Sequence, residues 1–575
     1  MTDTQSWDHS VDLVVVGSGA GAMTAGIVAH DRGANVLLLE KSNRYGGASA
    51  MSGGSLWIPN NHLMVEAGVN DTPEDALRYL QRTTAGTSSE DRLLAFVETA
   101  PKMLAYMCEH SRLRLSALPN YCDYYPGVAG ARPGGRSLEA DYFDGRLLGD
   151  ELLNLREPAI QVMVLGRVMM TARDARTMLV RSRGWIALFA RLMLRYWFDL
   201  PWRFRSKRDR TLTMGNALAG ALRCSLADRN IPLWLETPVR RLVVENGRVV
   251  GVVANRLGRE IRIRATHGVV LAAGGFEGSQ QMREEYLPHP TRAEWSAASP
   301  DNTGDAIRMG MEIGATVDLM DEAWWGPTTC VPGEATARML VIEKGLPGSV
   351  MVNKRGERFV NEASPYIDVV KGMQKAHTPQ SPCVPAYLVF DAKFRSRYPF
   401  GPLLQSAQQP DWVIPRRLFQ GYLRKAATIE DLATQLGIDP GGLAATIAKF
   451  HEYARTGRDL DFHRGENIFD RYYGDTTVKP NACLAGLDTP PFYGIEVFAG
   501  ELGTKGGLRT DPRARVLSET GEPIPGLYAT GNCSAAVMGR SYAGAGATLG
   551  PAMTFGYIAA RDAVPERPAG QGGAV

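Results

Sequence analysis

Six small residues in a row, Gly17-Ser18-Gly19-Ala20-Gly21-Ala22, sit between a β-branched run ending at Val16 and an alanine-rich stretch reaching about Asp31. That arrangement suits the holding of a diphosphate on backbone amides. Gly17 permits a tight strand-to-helix turn, Gly19 lets a pyrophosphate approach the main chain, and Ala22 allows close helix–strand packing. The anion would rest on the helix N-terminus, where unpaired N–H groups and the dipole favour negative charge. A second apolar strand, Asn35 to Leu39, ends at Glu40, 21 residues after Gly19, where a carboxylate can accept from a ribose 2′-OH. Strand, glycines, helix, strand and terminal acid together specify a dinucleotide-binding βαβ unit.

The loop that follows, Lys41 to Ser49, is rich in small and hydroxyl residues, with Gly46, Gly47, Ala48 and Ser49 at its end. It resembles the EK…GG(T/A)S segment of FAD-dependent oxidoreductases, which implies that the dinucleotide is FAD. Two later strands agree. Val269 to Leu271 runs into Ala272-Ala273-Gly274-Gly275, and Leu527-Tyr528-Ala529 runs into Thr530-Gly531-Asn532 near the C-terminus. In two-dinucleotide-binding-domain flavoproteins such a late strand returns to the first fold. The Val239–Val253 stretch, with Asn246-Gly247 at its turn, reads as a β-hairpin inserted before the glycine-ended strand.

Further motifs are SGGSLWIPNN (52–61), DYYP (123–126), NTGD (302–305), RFVNEASPY (358–366), FHRGE (462–466), GELGTKGGLRTD (500–511) and MGRSYAGAGATLGPAMTFGY (538–557). With the dinucleotide end, they resemble the fumarate reductase/succinate dehydrogenase flavoprotein superfamily and, within it, the 3-ketosteroid Δ1-dehydrogenases. The resemblance implies an α/β fold, with a discontinuous Rossmann-like FAD-binding domain (1–322 and 504–575) and an inserted α+β catalytic or capping domain (323–503). It extends the implied FAD contacts to Ser18, Ala20, Gly21, Lys41, Gly53, Gly54, Val239, Ala273, Gly274, Asn302, Asp305, Gly531, Asn532, Ala547 and Leu549.

The implied reaction removes a proton from C2 and a hydride from C1 of a 3-oxo-4-ene steroid, in steroid or sterol catabolism. Its site needs donors on the ketone, a base at C2 and a hydride acceptor beside C1. By the resemblance, the Tyr542 hydroxyl and the Gly546 N–H bind the ketone, Tyr366 takes the proton as tyrosinate, and Tyr124 stands beside it as hydrogen-bond partner and relay. Tyr125 competes with Tyr124 for that part, and Ser55 matches a pocket-lining position. An ordinary phenol titrates near pH 10, so a partner hydroxyl and a positive field are expected to lower Tyr366. Ala543 stands where the family usually has Pro, and His463 is expected to help build the cap. The neighbouring readings are a 4-ene (5α) dehydrogenase, an enoate reductase, and, in another class, a non-catalytic, membrane-docked electron-transfer flavoprotein.

At 575 residues the chain is too long for one core. Its 44% hydrophobic and 22% charged content is that of an ordinary globular protein. Seven scattered cysteines with no CxxC pair suggest neither disulfides nor a metal or iron–sulfur site. Reoxidation then needs an external acceptor: oxygen, a quinone or a soluble carrier. The polar start runs directly into a strand, so a cytoplasmic location is expected.

The net charge of +3 hides an uneven distribution. Thr171 to Arg210 holds 11 Arg/Lys against 3 Asp/Glu, and the remainder is net acidic. That points to a local anionic partner and away from nucleic acid. Within the departing segment 163–210, Trp185, Leu188, Phe189, Leu192 and Tyr196 share one helical face among arginines, with Trp197, Phe198, Trp202 and Phe204 following. Such a helix suits peripheral contact with the anionic inner face of a membrane. The same stripe would also serve in a core or a homo-oligomer interface. Membrane contact motivates a side-chain-bearing substrate such as cholest-4-en-3-one.

Overall fold

The structure, a computed structural model, describes residues 6–179 and 183–565. Residues 180–182 of the basic segment lie outside the described residues. In chain order the elements framing the site begin with β1 (His9–Val16), α1 (Ala20–Asp31), β2 (Val36–Leu39), α2 (Trp185–Trp197), β3 (Leu233–Trp234) and β4 (Arg259–Leu271). They continue with β5 (Ala323–Thr329), β6 (Ser349–Val352), α3 (Tyr366–Ala376), β7 (Ala386–Asp391), β8 (Phe492–Thr504), β9 (Pro523–Ala529) and α4 (Leu549–Ala563).

Continuous apolar runs, not alternating ones, form the first sheet. β3, β2, β1, β4 and β9 lie side by side and parallel, with Val14 opposite Val269 and Val269 opposite Leu527. A parallel sheet covered on both faces calls for such sequences, and Leu13 to Val16 and Val36 to Leu39 are buried throughout. The hairpin 239–256 extends the sheet from β4, turning through Asn246 (φ 50°) and Gly247 (φ 75°) as the Asn-Gly pair requires. β9 crosses more than 250 residues of sequence to pair with β4. Behind the sheet α1 and α4 touch through their backbones. A Cβ on Gly21 would meet Ala552 O at 2.6 Å, and one on Gly556 would meet Gly21 O at 2.4 Å. Gly21 thus serves a helix crossing as well as the phosphate turn.

The second sheet is antiparallel, in the order β5-β8-β7-β6, and every residue of β5, β6 and β7 is buried. One continuous core joins the two sheets, through residues such as Leu271, Trp325, Leu388 and Met553.

α2 departs from its expected orientation. Leu192 and Tyr196 pack inward on Val168, with Leu188 beside them, while Ile186, Leu194, Trp197 and Phe198 are exposed. The helix is apolar nearly all round, and of the stripe legible in the sequence the protein buries Leu192 and Tyr196, half-covers Trp185 and Leu188, and leaves Phe189 exposed. Trp202, expected at a surface, is buried, and its indole N–H donates to Arg208 O at 2.7 Å.

Candidate active site

At the carboxyl ends of β1, β2, β4 and β9 lies a cavity of about 1190 Å³. Open parallel sheets place ligand crevices at this edge. The volume exceeds the usual 300–1,000 Å³ or so of a single small-molecule pocket, as a site for two ligands requires.

One end is built from main chain. Gly17 stands at φ +113°, and a Cβ there would lie 2.3 Å from Ala272 O, so no other residue fits this turn. The first turn of α1 lines the cavity, and Ser49 Oγ accepts from the Ala20 N–H at 3.0 Å. Glu40 accepts from the Ser18 hydroxyl at 2.5 Å and the Ser42 N–H at 2.9 Å. Burial raises its carboxyl, with the Ser18 bond opposing. Lys41 is engaged, donating to Asp305 at 2.6 Å and Thr303 at 2.7 Å. Gly19, Gly21, Ala22, Gly47, Ala48, Gly53, Gly54, Val239, Ala273, Gly274, Asn302, Gly531, Asn532 and Leu549 also face the space. Two expected contacts do not. Gly46 turns toward Ala50 and Ala219, giving its N–H to Ser18 Oγ, and Ala547 is fully covered. Both shape the walls from behind. The glycine turn, the acid at the end of β2 and the open small-residue walls fit FAD.

The other end is phenolic. Tyr124, Tyr366 and Tyr542 meet there from three distant parts of the chain. Tyr124 donates to the Tyr366 hydroxyl at 2.9 Å. The Tyr542 ring stands 5.3 Å from that of Tyr366, nearly perpendicular, and 5.2 Å from that of Tyr124. Tyr542 Oη shares a hydrogen bond with Thr548 Oγ1 at 3.0 Å. The carbonyl of Ala543 accepts from the Tyr124 N–H at 3.1 Å and the Tyr79 hydroxyl at 2.7 Å, which fastens the Tyr542 loop to the DYYP segment. Ser55 and Gly546 line the same space. Tyr125 points elsewhere and donates to Asp368 at 3.2 Å. Of the two adjacent tyrosines, Tyr124 is the one whose hydroxyl meets Tyr366.

The expected lowering of Tyr366 is not found. Burial among aromatic rings pushes its phenol well above 10, and the Tyr124 bond only opposes this. The positive end of α3, on which Tyr366 is the first residue, is the favourable field it does have. Its approach loop is clamped by charge. Glu362 accepts from Arg358 at 2.7 Å and Arg464 at 3.1 Å, and Arg358 also holds Asp459 at 2.8 Å. Burial alone would raise Glu362, but the two guanidiniums bring it down to about 2. In FHRGE the buried side chain that builds the cap is thus that of Arg464, whereas the His463 ring is exposed and meets Glu466 at 3.3 Å.

Sequence reasoning missed parts of this wall. Tyr121 pairs its hydroxyl with Tyr473 at 2.5 Å. The hairpin around Met163 and Val164, with Met170, Met178, Trp185 and Phe189, closes the cavity from the basic segment. The Tyr121/Tyr124 spacing and the Tyr472-Tyr473 pair were available signals; the contact of Met163, Val164, Met170 and Met178 with the cavity had none, because contact across a cavity leaves no local pattern.

Fold and site together define an FAD-dependent oxidoreductase. The family model described as an FAD binding domain matches residues 12–549. A 3-oxosteroid 1-dehydrogenase of Mycobacterium tuberculosis is 42% identical over 561 residues, covering 96% of this chain and 97% of its own. A 4-oxocyclohexanecarboxylate 2-dehydrogenase of Sinomonas cyclohexanicum is 37% identical, covering 96% and 92%. Among solved structures, a 3-ketosteroid Δ1-dehydrogenase from Sterolibacterium denitrificans, in complex with 1,4-androstadiene-3,17-dione, superposes with a TM-score of 0.94 at 49% identity, covering 97% of this chain and all of that one. The chain belongs to the 3-ketosteroid Δ1-dehydrogenase family.

Proposed function

We propose that the protein desaturates the C1–C2 bond of a 3-ketosteroid, converting a 3-oxo-4-ene to a 1,4-diene-3-one. The observation that carries this is the convergence of Tyr124, Tyr366 and Tyr542 in the cavity that also holds the dinucleotide turn. FAD, when bound, supplies the acceptor for the hydride leaving C1. The chain does the rest. Tyr542 and the Gly546 N–H donate to the ketone oxygen and stabilise the enolate that forms as C2 loses its proton. Tyr366 takes that proton, and the Tyr124 hydroxyl donates to the oxygen that must carry the negative charge. Neutral phenols cost less than carboxylates to keep in an apolar chamber, which suits a steroid.

A discontinuous Rossmann-like FAD domain, interrupted by a cap over 323–503, accounts for this placement. The pairing of β9 with β4 and the separate antiparallel sheet from Ala323 to Thr504 support it. Tyr366 then comes from the cap, and Tyr124 and Tyr542 from the FAD domain.

The test is anaerobic mixing of the holoenzyme with 4-androstene-3,17-dione. Bleaching of the flavin band with formation of the 1,4-diene is expected. Bleaching with a product unsaturated elsewhere would move the protein to a neighbouring activity. No bleaching with any ketosteroid would leave a carrier of electrons only.

The basic segment supports a membrane-borne substrate, and its two faces divide the work. Phe189, Met170 and Met178 line the cavity, where an aliphatic C17 side chain such as that of cholest-4-en-3-one would pack. Outside, Phe204 is 92% exposed and Phe198 75%, and Trp197, Leu194 and Ile186 are exposed along the same segment, which is rich in arginine. No helix among the described residues is long and apolar enough to cross a membrane. Peripheral docking on the anionic inner leaflet, with a quinone or soluble carrier taking the electrons, fits this surface. Phe198→Glu with Phe204→Glu is expected to abolish cosedimentation with anionic phosphatidylserine vesicles while leaving turnover of a water-soluble ketosteroid intact. Unchanged cosedimentation would rule the docking face out.

A further inference from the structure

Two lysines are sealed inside the protein, Lys505 fully and Lys344 all but fully, and neither borders the cavity. A buried amine is tolerated only where its donors are used. Lys505 Nζ donates to Gly539 O at 3.1 Å and to Ser541 O at 2.5 Å. Its remaining side faces the Trp324 ring, 4.5 Å from the ring centre. Ser541 O belongs to the peptide bond that leads into Tyr542. The Trp324 ring in turn packs edge-on against Tyr542 at 4.9 Å, and its indole N–H is fixed on Asn532 Oδ1 at 3.0 Å. One amine therefore grips Tyr542 from its main chain and from its ring. Lys344 repeats the device on the other phenol. It donates to Glu362 O at 2.8 Å and Ser364 O at 2.6 Å, in the irregular stretch just before Pro365 and Tyr366. Both stretches lack a sheet or helix partner for these carbonyls, so the lysines replace one.

We propose that Lys505 and Lys344 are positioning residues, tying down the carbonyls that precede Tyr542 and Tyr366 and thereby fixing the ketone donor and the base. This rests on the desaturation reading above. Burial pulls the amines down, to about 7 for Lys505 and about 8 for Lys344. The two carbonyl bonds survive this, because a neutral amine still has the two N–H groups that two carbonyls need; only the contact of Lys505 with the Trp324 ring requires the charged form.

Two double-mutant cycles on the holoenzyme test it: Lys505→Met with Tyr542→Phe, and Lys344→Met with Tyr366→Phe. Each lysine variant is expected to keep its FAD and its KM while kcat falls about a hundredfold, the size of effect a misplacement of about 1 Å produces. Each double variant should be no slower than the tyrosine variant alone. The C3 carbonyl stretch of bound 1,4-androstadiene-3,17-dione should move toward its free value in Lys505→Met and stay put in Lys344→Met. Wild-type kcat in the lysine variants, or effects that multiply in the double variants, would overturn the inference. Should a Met variant lose its FAD, Lys505→Gln or Lys344→Gln, each keeping one donor pair, enters the same cycle under the same criteria. Failure of the desaturation reading looks different: the unmodified holoenzyme itself would not be bleached by any ketosteroid, and both ideas would fall together.

Discussion

The two ends of the cavity are made by opposite means. The cofactor end comes mostly from one contiguous stretch, Gly17 to Gly54, and works largely through backbone conformation: a turn at φ +113°, helix N–H groups, and walls rich in glycine and alanine, with Glu40 and Ser49 adding side-chain bonds. The phenolic end draws single hydroxyls from positions 124, 366 and 542, brought together only by the finished fold. It is held by contacts the phenols do not make themselves, such as the Ala543 carbonyl and the Glu362 clamp. The lesson is an asymmetry of vulnerability. One end fails when a Cβ is added at Gly17, the other when the hydroxyl of Tyr366 is removed, and each should tolerate that particular change in its neighbour.

The largest effect tests the phenolic side. Tyr366→Phe keeps the ring and its packing and removes the proposed base, so kcat should fall by roughly 10²–10⁴, the usual worth of a general base. The FAD content should not change. Because burial holds this phenol well above 10, the rise of kcat/KM with pH in the wild type should continue past the ordinary tyrosine value of about 10. A plateau already reached at neutral pH would point to a different base.

The converse change is Gly17→Ala. Its Cβ would collide with Ala272 O at 2.3 Å in a backbone conformation that L residues rarely adopt. FAD affinity should weaken by about tenfold or more, the equivalent of some 1.4 kcal/mol. Turnover per bound FAD should stay near the wild-type value, since no phenol moves. Stoichiometry from the ratio of flavin to protein absorbance, with kcat normalised to it, separates the two quantities. A normalised kcat that drops with the FAD content would mean that the ends are not independent.

The same asymmetry decides how much was legible in the sequence. Gly17, Glu40 and the Asn246-Gly247 hairpin follow from local rules, because φ preference and strand periodicity act over a few residues. The phenols were reached only through resemblance, since nothing local marks Tyr366 among 20 tyrosines. α2 shows the limit most clearly. Its stripe from Trp185 to Tyr196 was legible as apolar, but a helix apolar on nearly every face does not state which face the protein keeps. Nothing local to Lys505 or Lys344 signals burial, and only the tertiary structure reveals it.

The smallest effect concerns the pair of adjacent tyrosines in DYYP. Tyr124→Phe removes the donor to Tyr366 and should cost activity with little change in stability, whereas Tyr125→Phe should do the reverse. Tyr125 donates to Asp368, whose carboxyl burial has already pushed up to about 6 against the Tyr125 bond that lowers it. Without that bond the folded-state value rises further. A carboxyl whose folded value lies above its unfolded one contributes stability at low pH that is lost as pH climbs through the folded value. The Tyr125→Phe holoenzyme should therefore match the wild type in thermal midpoint near pH 5 and fall behind it near pH 8. The deficit there should be that of a buried acceptor left unmet, on the order of 1–3 kcal/mol, with kcat within a few-fold of wild type. Equal midpoints at both pH values would place Tyr125 outside the Asp368 network, and a large loss of kcat would return it to the chemistry assigned to Tyr124.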